Sequence, residues 1–338
     1  MFLWAAETSA IIHAQSLAVG GLYERLRPSL VVLGDPRQPT GTAALVDAAQ
    51  GLFLAHSDAV RGDTVQARLG DGTVRLKVLA RDTRTNLVLL SYKTDGGLPG
   101  MTPLVVADAE PAIGSRVMVL LAQGGLVGSF VGGQKFSLMG ERKQVVPVSE
   151  LRFESPPQLV GGALLVSFDG KILGTMAATL AKPGNSADVS LRTLAEVQSA
   201  AKTAQVPKFS DFAAQKIPYG PAGLTVAYSP NVNLVRRVVE GFLSPDHRPE
   251  YAALGIQIAD AVGGGAVIRR IVPNTPASRL PVQVGDILLS MGDRPITKQY
   301  DFVQALLTFR PGDRITLRIR HDGVEKSIEV TLARVKTS

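Results

Sequence analysis

Acyl transfer by covalent catalysis needs a nucleophilic oxygen or sulfur, a base to deprotonate it and donors for the oxyanion. This chain of 338 residues has few side chains able to fill those roles. It contains no cysteine, which excludes thiol nucleophiles, disulfides and thiolate metal sites. Its four histidines, His13, His56, His247 and His321, are scattered and show no zinc-type spacing, so neither a metal nor a cofactor is expected. In the run His56-Ser57-Asp58 an imidazole stands near a carboxylate. Side chains on a strand alternate in direction, however, and the run presents no distant serine to activate, so a structural histidine is the plainer reading. Pro183-Gly184-Asn185-Ser186 contains a serine in a turn, but Ala187-Asp188 follows it, and it reads as a loop before a helix.

The elements that must position such groups follow from the hydrophobic period. From Val31 to Val131, runs such as Leu52-Phe53-Leu54, Leu87 to Tyr92 and Val117 to Leu121 are separated by turns, among them Asp71-Gly72 and Asp95-Gly96-Gly97. This is an all-β pattern. Ala14 to Leu26 has a helical period, with Leu17, Leu22 and Leu26 on its apolar side, and stops before Arg27-Pro28. Asp188 is a plausible N-cap for a surface helix running to about Ala204, and Asn233 to Glu240 reads as another helix.

Three segments together resemble the HtrA-type (Deg-type) trypsin-like serine proteases. Gly41 to Val46 with Gly51 to Val60 is similar to the segment carrying the family's general base, and the histidine position falls on Asp58. Leu69-Gly70-Asp71-Gly72 with Ala80 to Leu90 is similar to the segment whose aspartate orients that histidine, and this position holds Asn86. Pro156 to Leu165 with Asp169-Gly170 is similar to the nucleophile loop, and the serine position holds Val160. Two residues earlier, where the family has a glycine shaping the oxyanion hole, stands Gln158. Valine has no lone pair or transferable proton, so no neighbouring base can activate it. Aspartate is a weak base beside imidazole, and asparagine does not stabilise an imidazolium as a carboxylate does. The resemblance therefore implies a trypsin-like double six-stranded β-barrel over residues 20–242 in which no catalytic residue is expected. Residues 181–221 read as an insertion and 243–250 as a linker.

Residues 251–336 resemble a PDZ domain, an α+β module, with its motifs intact. Ala253-Leu254-Gly255-Ile256 is similar to the carboxylate-binding loop, followed by the edge strand through Gln257 and Ile258. A helix near Tyr300 to Leu307 is expected to line a peptide groove with Val303 and Leu307, while Phe302 and Leu306 pack inside. Backbone N–H groups in such a loop donate to a terminal carboxylate, and an exposed strand edge adds an extended peptide as a further strand.

The net charge of +7 and a pI near 9.7 invite a nucleic-acid reading. Lysines and arginines are spread thinly, however, aromatic residues make up only 5 %, and no nucleic-acid motif appears. No apolar stretch of about 20 residues is present, so no membrane span is expected. Residues 1–19 have only a short apolar run, compatible with the end of a secretion signal, and the resemblance favours an extracytoplasmic location. The expected function is an inactive HtrA-like protein that binds C-terminal or unfolded peptide segments, as a chaperone or adaptor. The resemblance implies a homo-trimer or assembly with an active homologue. The alternatives are a scaffold subunit and an active peptidase with a relocated site.

Overall fold

Apolar runs punctuated by Gly, Pro and Asp fold as strands in the computed structural model, which describes residues 20–335 apart from 36, 94–95, 99, 122–123, 140–143, 154–162, 177 and 181–224. The expected helix over 14–26 is described from residue 20, and helical residues 20–26 (α1) lay Leu22 and Leu26 on the core. Strands β1 (Leu30–Asp35), β2 (Gln38–Asp47), β3 (Leu52–His56), β4 (Thr64–Leu69), β5 (Gly72–Asp82) and β6 (Leu87–Ser91) close into a barrel in the order β1-β2-β3-β6-β5-β4. Every residue of β3 and β6 is buried. Phe53, Ala55, Val88 and Leu90 fill the barrel, while Leu52, Leu54, Leu87 and Leu89 face a second core outside it. Burial on both faces is why these strands read as unbroken apolar runs.

The second unit contains β7 (Arg116–Leu121), β8 (Gly124–Met139), β9 (Gln144–Phe153), β10 (Leu164–Ser167), β11 (Ile172–Thr175), β12 (Ala178–Leu180) and β13 (Thr225–Pro230). Their order is β11-β10-β7-β8-β9-β13-β12. The second barrel-like sheet has seven strands rather than the expected six. Residues 178–180 pair with 226–228 as an additional strand, giving a seven-stranded sheet with β11 and β12 at its ends.

Helix α2 (Val232–Phe242) follows directly, started by the Asn231 side chain, which accepts from the Asn233 amide at 2.9 Å. Leu234, Val235, Val238, Val239 and Phe242 recur at helical spacing and enter the core between the two barrels. A fully buried side chain of this size contributes roughly 1.5–3 kcal/mol. The linker folds back on the helix end, and a Cβ on Gly241 would stand 2.3 Å from Pro249 Cα, so glycine is required there. Tyr251 ends the linker against the first barrel, its hydroxyl donating to Asp82 at 3.1 Å and its ring covered by the Arg84 guanidinium at 3.9 Å.

The C-terminal domain begins with β14 (Ala252–Ala253) and continues with β15 (Ile256–Asp260), β16 (Ala266–Ile271), β17 (Ile287–Met291), β18 (Arg294–Pro295), α3 (Gln299–Thr308), β19 (Arg314–His321), β20 (Val324–Thr331) and β21 (Ala333–Arg334). β15 ends the sheet β15-β16-β17-β19-β20, and β14 pairs with β21. Phe302, Leu317, Ile319 and Met291 lie at the domain's core.

Helices α2 and α3 pack against one another and join the two domains. Asn231 Nδ2 donates to the Tyr300 hydroxyl at 3.2 Å, and Asn233 Nδ2 to Gln304 Oε1 at 3.0 Å. Phe136 and Tyr300 rings meet at 5.3 Å between centroids. The buried Arg237 guanidinium donates to the Leu307 carbonyl through Nε (3.2 Å) and Nη2 (3.0 Å), and to the Phe309 carbonyl at 2.9 Å. The last carbonyls of a helix have no partner within it and carry partial negative charge. Arg237 of one domain is thus the C-cap of a helix in the other, and Glu240 bridges it to Arg310 at 3.3 Å on each side. Arg237→Ala is expected to lower stability by about 2 kcal/mol, the scale of a charge-assisted hydrogen bond lost from a buried site, with Arg237→Lys recovering only part. Urea denaturation of the full chain measures both.

Candidate functional site

On the first barrel, β3 delivers His56 into a fully buried position at its end. The imidazole Nδ1 accepts from the Asp58 amide at 3.1 Å, closing the turn Ser57–Ala59, and lies 3.9 Å from the Asp58 carboxylate. Burial lowers the His56 pKa to about 4, with the Asp58 charge opposing that shift. At neutral pH the ring is uncharged. Since Nδ1 is an acceptor, the proton sits on Nε2. His56 acts as a turn cap, and its Nδ1 lone pair is already committed to a backbone donor.

Asp58 and Asn86 stand in adjoining turns, tied by the Ser57 amide donating to the Asn86 carbonyl at 2.7 Å. Asn86 adopts φ 56°, a left-handed conformation that asparagine tolerates well. Asp82 shapes this turn by accepting from the amides of Arg84 (3.0 Å) and Thr85 (2.8 Å) and from the Thr85 hydroxyl (2.9 Å). The buried Thr175 hydroxyl donates to the Thr85 carbonyl at 2.8 Å, linking β11 to the first barrel. The structure therefore brings Asp58 and Asn86 together between the barrels. Val160, Gln158, Ser186, the helix read from Asp188 and the insertion over 181–221 lie outside the described residues.

In the C-terminal domain the loop 253–256 is anchored by its carbonyls. Leu254 O accepts from the Ala277 amide at 2.9 Å and Gly255 O from the Val272 amide at 2.8 Å. Leu254 is buried. Gly255 has φ +89°, and a Cβ there would fall 2.0–2.6 Å from the Thr275 side chain, so both backbone conformation and space demand glycine. Thr275 holds its own position by donating to the Val272 carbonyl at 2.6 Å. Ile256, Gln257 and Ile258 lead into β15, whose second edge pairs with no described strand. The Asp260 carboxylate accepts from the Gln299 amide at 2.7 Å, tying the end of β15 to the start of α3.

Val303 packs against the core of this domain and also against Phe136 and Tyr300. Phe302 is buried and Leu306 packs on the same core. Leu307, also expected to line the groove, is half-buried. It packs against the core between the barrels, because docking of α3 on α2 turns this face toward the barrel domain. Thr275 and Arg237, which position the loop and α3, are not singled out by sequence reasoning. Thr275 has a local cue in the turn-forming run Pro273-Asn274-Thr275-Pro276, whereas Arg237 reaches its carbonyls across a domain boundary and has no local signal.

Behind α3 lies a buried polar node. The Glu110 carboxylate accepts from the Ser149 hydroxyl and from Asn231 Nδ2, which also reaches Tyr300. Burial raises the carboxyl pKa of Glu110. Burial and the nearby Glu110 charge raise that of the Tyr300 phenol.

Residues 252–332 match the PDZ domain family model. Over 312 residues the chain is 22 % identical to the periplasmic pH-dependent serine endoprotease DegQ of Escherichia coli K12, covering 88 % of this chain and 60 % of DegQ. It is 21 % identical to the periplasmic serine endoprotease DegP of Salmonella typhimurium, covering 86 % of this chain and 56 % of DegP. The chain thus spans about three fifths of the length of these relatives. Among solved structures, the HtrA-type protease AlgW with a decapeptide superposes with TM-score 0.59 at 13 % identity, over 95 % of this chain and 99 % of that one. The serine endoprotease of Yersinia pestis superposes with TM-score 0.53 at 17 % identity, over 94 % of this chain and 98 % of that one.

In fold and domain order the chain is similar to the HtrA-type serine proteases. No helix among the described residues is long and apolar enough to cross a membrane.

His56 supplies a pH test. Its folded pKa, about 4, lies below the ordinary 6.5, so the unfolded chain takes up a proton first as pH falls. Stability from this group is full above about pH 6.5 and is lost between there and pH 4. Glu110, with a raised pKa, acts in the opposite sense. His56→Asn keeps an acceptor for the Asp58 amide but removes the titration. Urea midpoints between pH 7.5 and 4 are expected to fall less steeply in this variant than in the parent chain.

Proposed function

We propose that this protein is a peptide-binding pseudoprotease of the HtrA type, which captures C-terminal or unfolded segments through its PDZ domain and has lost acyl-transfer chemistry. The observation that carries this reading is Val160 at the nucleophile position of the matching motif, in a chain with no cysteine to substitute. The state of His56 supports it, since the histidine nearest the general-base position is neutral, buried and occupied as a turn cap. Asp58 and Asn86 supply neither an imidazole base nor a carboxylate to orient one.

Peptide capture rests on the loop and edge together. With the carbonyls of Leu254 and Gly255 held by residues behind the loop, a terminal carboxylate would accept from loop N–H groups while the peptide backbone pairs along β15. The periplasmic relatives favour an extracytoplasmic location. The reading adds a chaperone-like or adaptor role, with a homo-trimer or an assembly with an active homologue as the working form.

Two measurements test the two halves. Serine-directed fluorophosphonate probes are expected to leave the purified protein unlabelled, and casein uncleaved. Stoichiometric labelling of Ser186 or any other serine would overturn the inactive assignment. For capture, peptides with a free apolar C-terminus are expected to bind at least tenfold more tightly than their C-terminal amides, because charge-assisted hydrogen bonds to the carboxylate are each worth about 1.5–3 kcal/mol. Equal affinities by titration calorimetry would show that the groove does not read carboxylates.

A further inference from the structure

A β-bulge beside the peptide edge places two arginines where they can select the bound sequence. β15 and β16 pair Ile256 with Ile271 and Gln257 with Arg270, and the register then shifts so that Ile258 faces Ile268. Arg269 is the extra residue. A bulge of this kind sets two successive residues opposite one and leaves the ordinary alternation locally broken. Ile258 and Ile268 are buried in the domain core, whereas Gln257, Arg269 and Arg270 are all exposed. Neither arginine forms an ion pair or side-chain hydrogen bond with any described residue.

We propose that Arg269 and Arg270 make this groove selective for C-terminal peptides carrying Asp or Glu at the penultimate and fourth-from-last positions. This rests on the peptide-capture reading and adds its substrate class. A peptide added antiparallel to β15, with its carboxylate at the loop 254–256, sends its last and third-from-last side chains toward α3. Alternation then sends the penultimate and fourth-from-last side chains to the opposite face, the face of Gln257. β16 lies two strand spacings from the added strand, roughly 10 Å, a span that an extended arginine and glutamate bridge together over the small distance occupied by Gln257. The nearest carboxylate on β15, Asp260, is turned to the Gln299 amide at the start of α3 and does not neutralise this face. The exposed edge of the sheet thus presents two uncompensated cations beside alternate peptide positions, and their charge complements acidic side chains while penalising basic ones.

Fluorescence polarisation with the full chain and three labelled peptides tests this. All end in the same apolar residue and differ only in carrying Glu, Gln or Lys at the penultimate and fourth-from-last positions. The Glu peptide is expected to bind about tenfold more tightly than the Lys peptide at low salt, since two exposed charge pairs are exchanged for two repulsions, and the difference is expected to shrink as salt is raised. In Arg269→Glu/Arg270→Glu, a surface change outside the packed core, the order is expected to reverse while the Gln peptide binds as before. Three similar affinities in the parent chain, or an unchanged order in the variant, would overturn the selectivity and leave capture standing. If none of the three binds, capture itself fails and the selectivity with it.

Discussion

The arrangement of both domains depends on one packed helix. α2 carries Leu234, Val235, Val238, Val239 and Phe242 into the core between the barrels, and on its other side presents Asn233 and Arg237 to α3. The Arg237 guanidinium caps carbonyls that the end of α3 cannot satisfy internally. An arginine so buried is stabilised only while those carbonyls and Glu240 remain in place. Barrel packing and the position of α3 are therefore set by the same helix. Tyr251 adds a second attachment at the linker, where Asp82, which also shapes the Asn86 turn, accepts from its hydroxyl.

This mounting has a consequence for the groove. One wall, α3, is attached to the barrel domain through Tyr300, Gln304 and the Leu307 carbonyl, while the other wall, β15, belongs to the C-terminal sheet. The Asp260–Gln299 contact and the shared core of Phe302 and Ile258 hold the two walls together. On the barrel side, the histidine that remains is spent on a turn. The two barrels and the groove thus divide the proposed role: the barrels act as a mount, and recognition resides in the loop 253–256 and its neighbouring edge.

Much of this was legible in the residues. Unbroken apolar runs such as Leu52 to Leu54 and Leu87 to Leu90 mark strands buried on both faces, and the PDZ loop is readable because Gly255 must adopt a positive φ against Thr275. Helix α2 exceeded the run read from Asn233 to Glu240 because Asn231 caps it one residue earlier and Phe242 is drawn into the core. The seventh strand of the second sheet was not legible, since three residues, Ala178 to Leu180, are too few to show a period. The packing of Leu307 toward the barrel domain is set by tertiary structure. Helical spacing identifies which residues share a face, but not which of two surfaces covers that face, and α2 covers this one. Arg237 was missed for the same reason, because its partners lie seventy residues away.

Hydrogen–deuterium exchange of the full chain, with and without a saturating peptide bearing a free apolar C-terminus, tests most directly where recognition resides. Slowed exchange is expected along residues 254–260 and in α3, with no change around 52–60 and 85–91. Protection of the turns around Asp58 and Asn86 instead, with 254–260 unaffected, would contradict it and return recognition to the barrels.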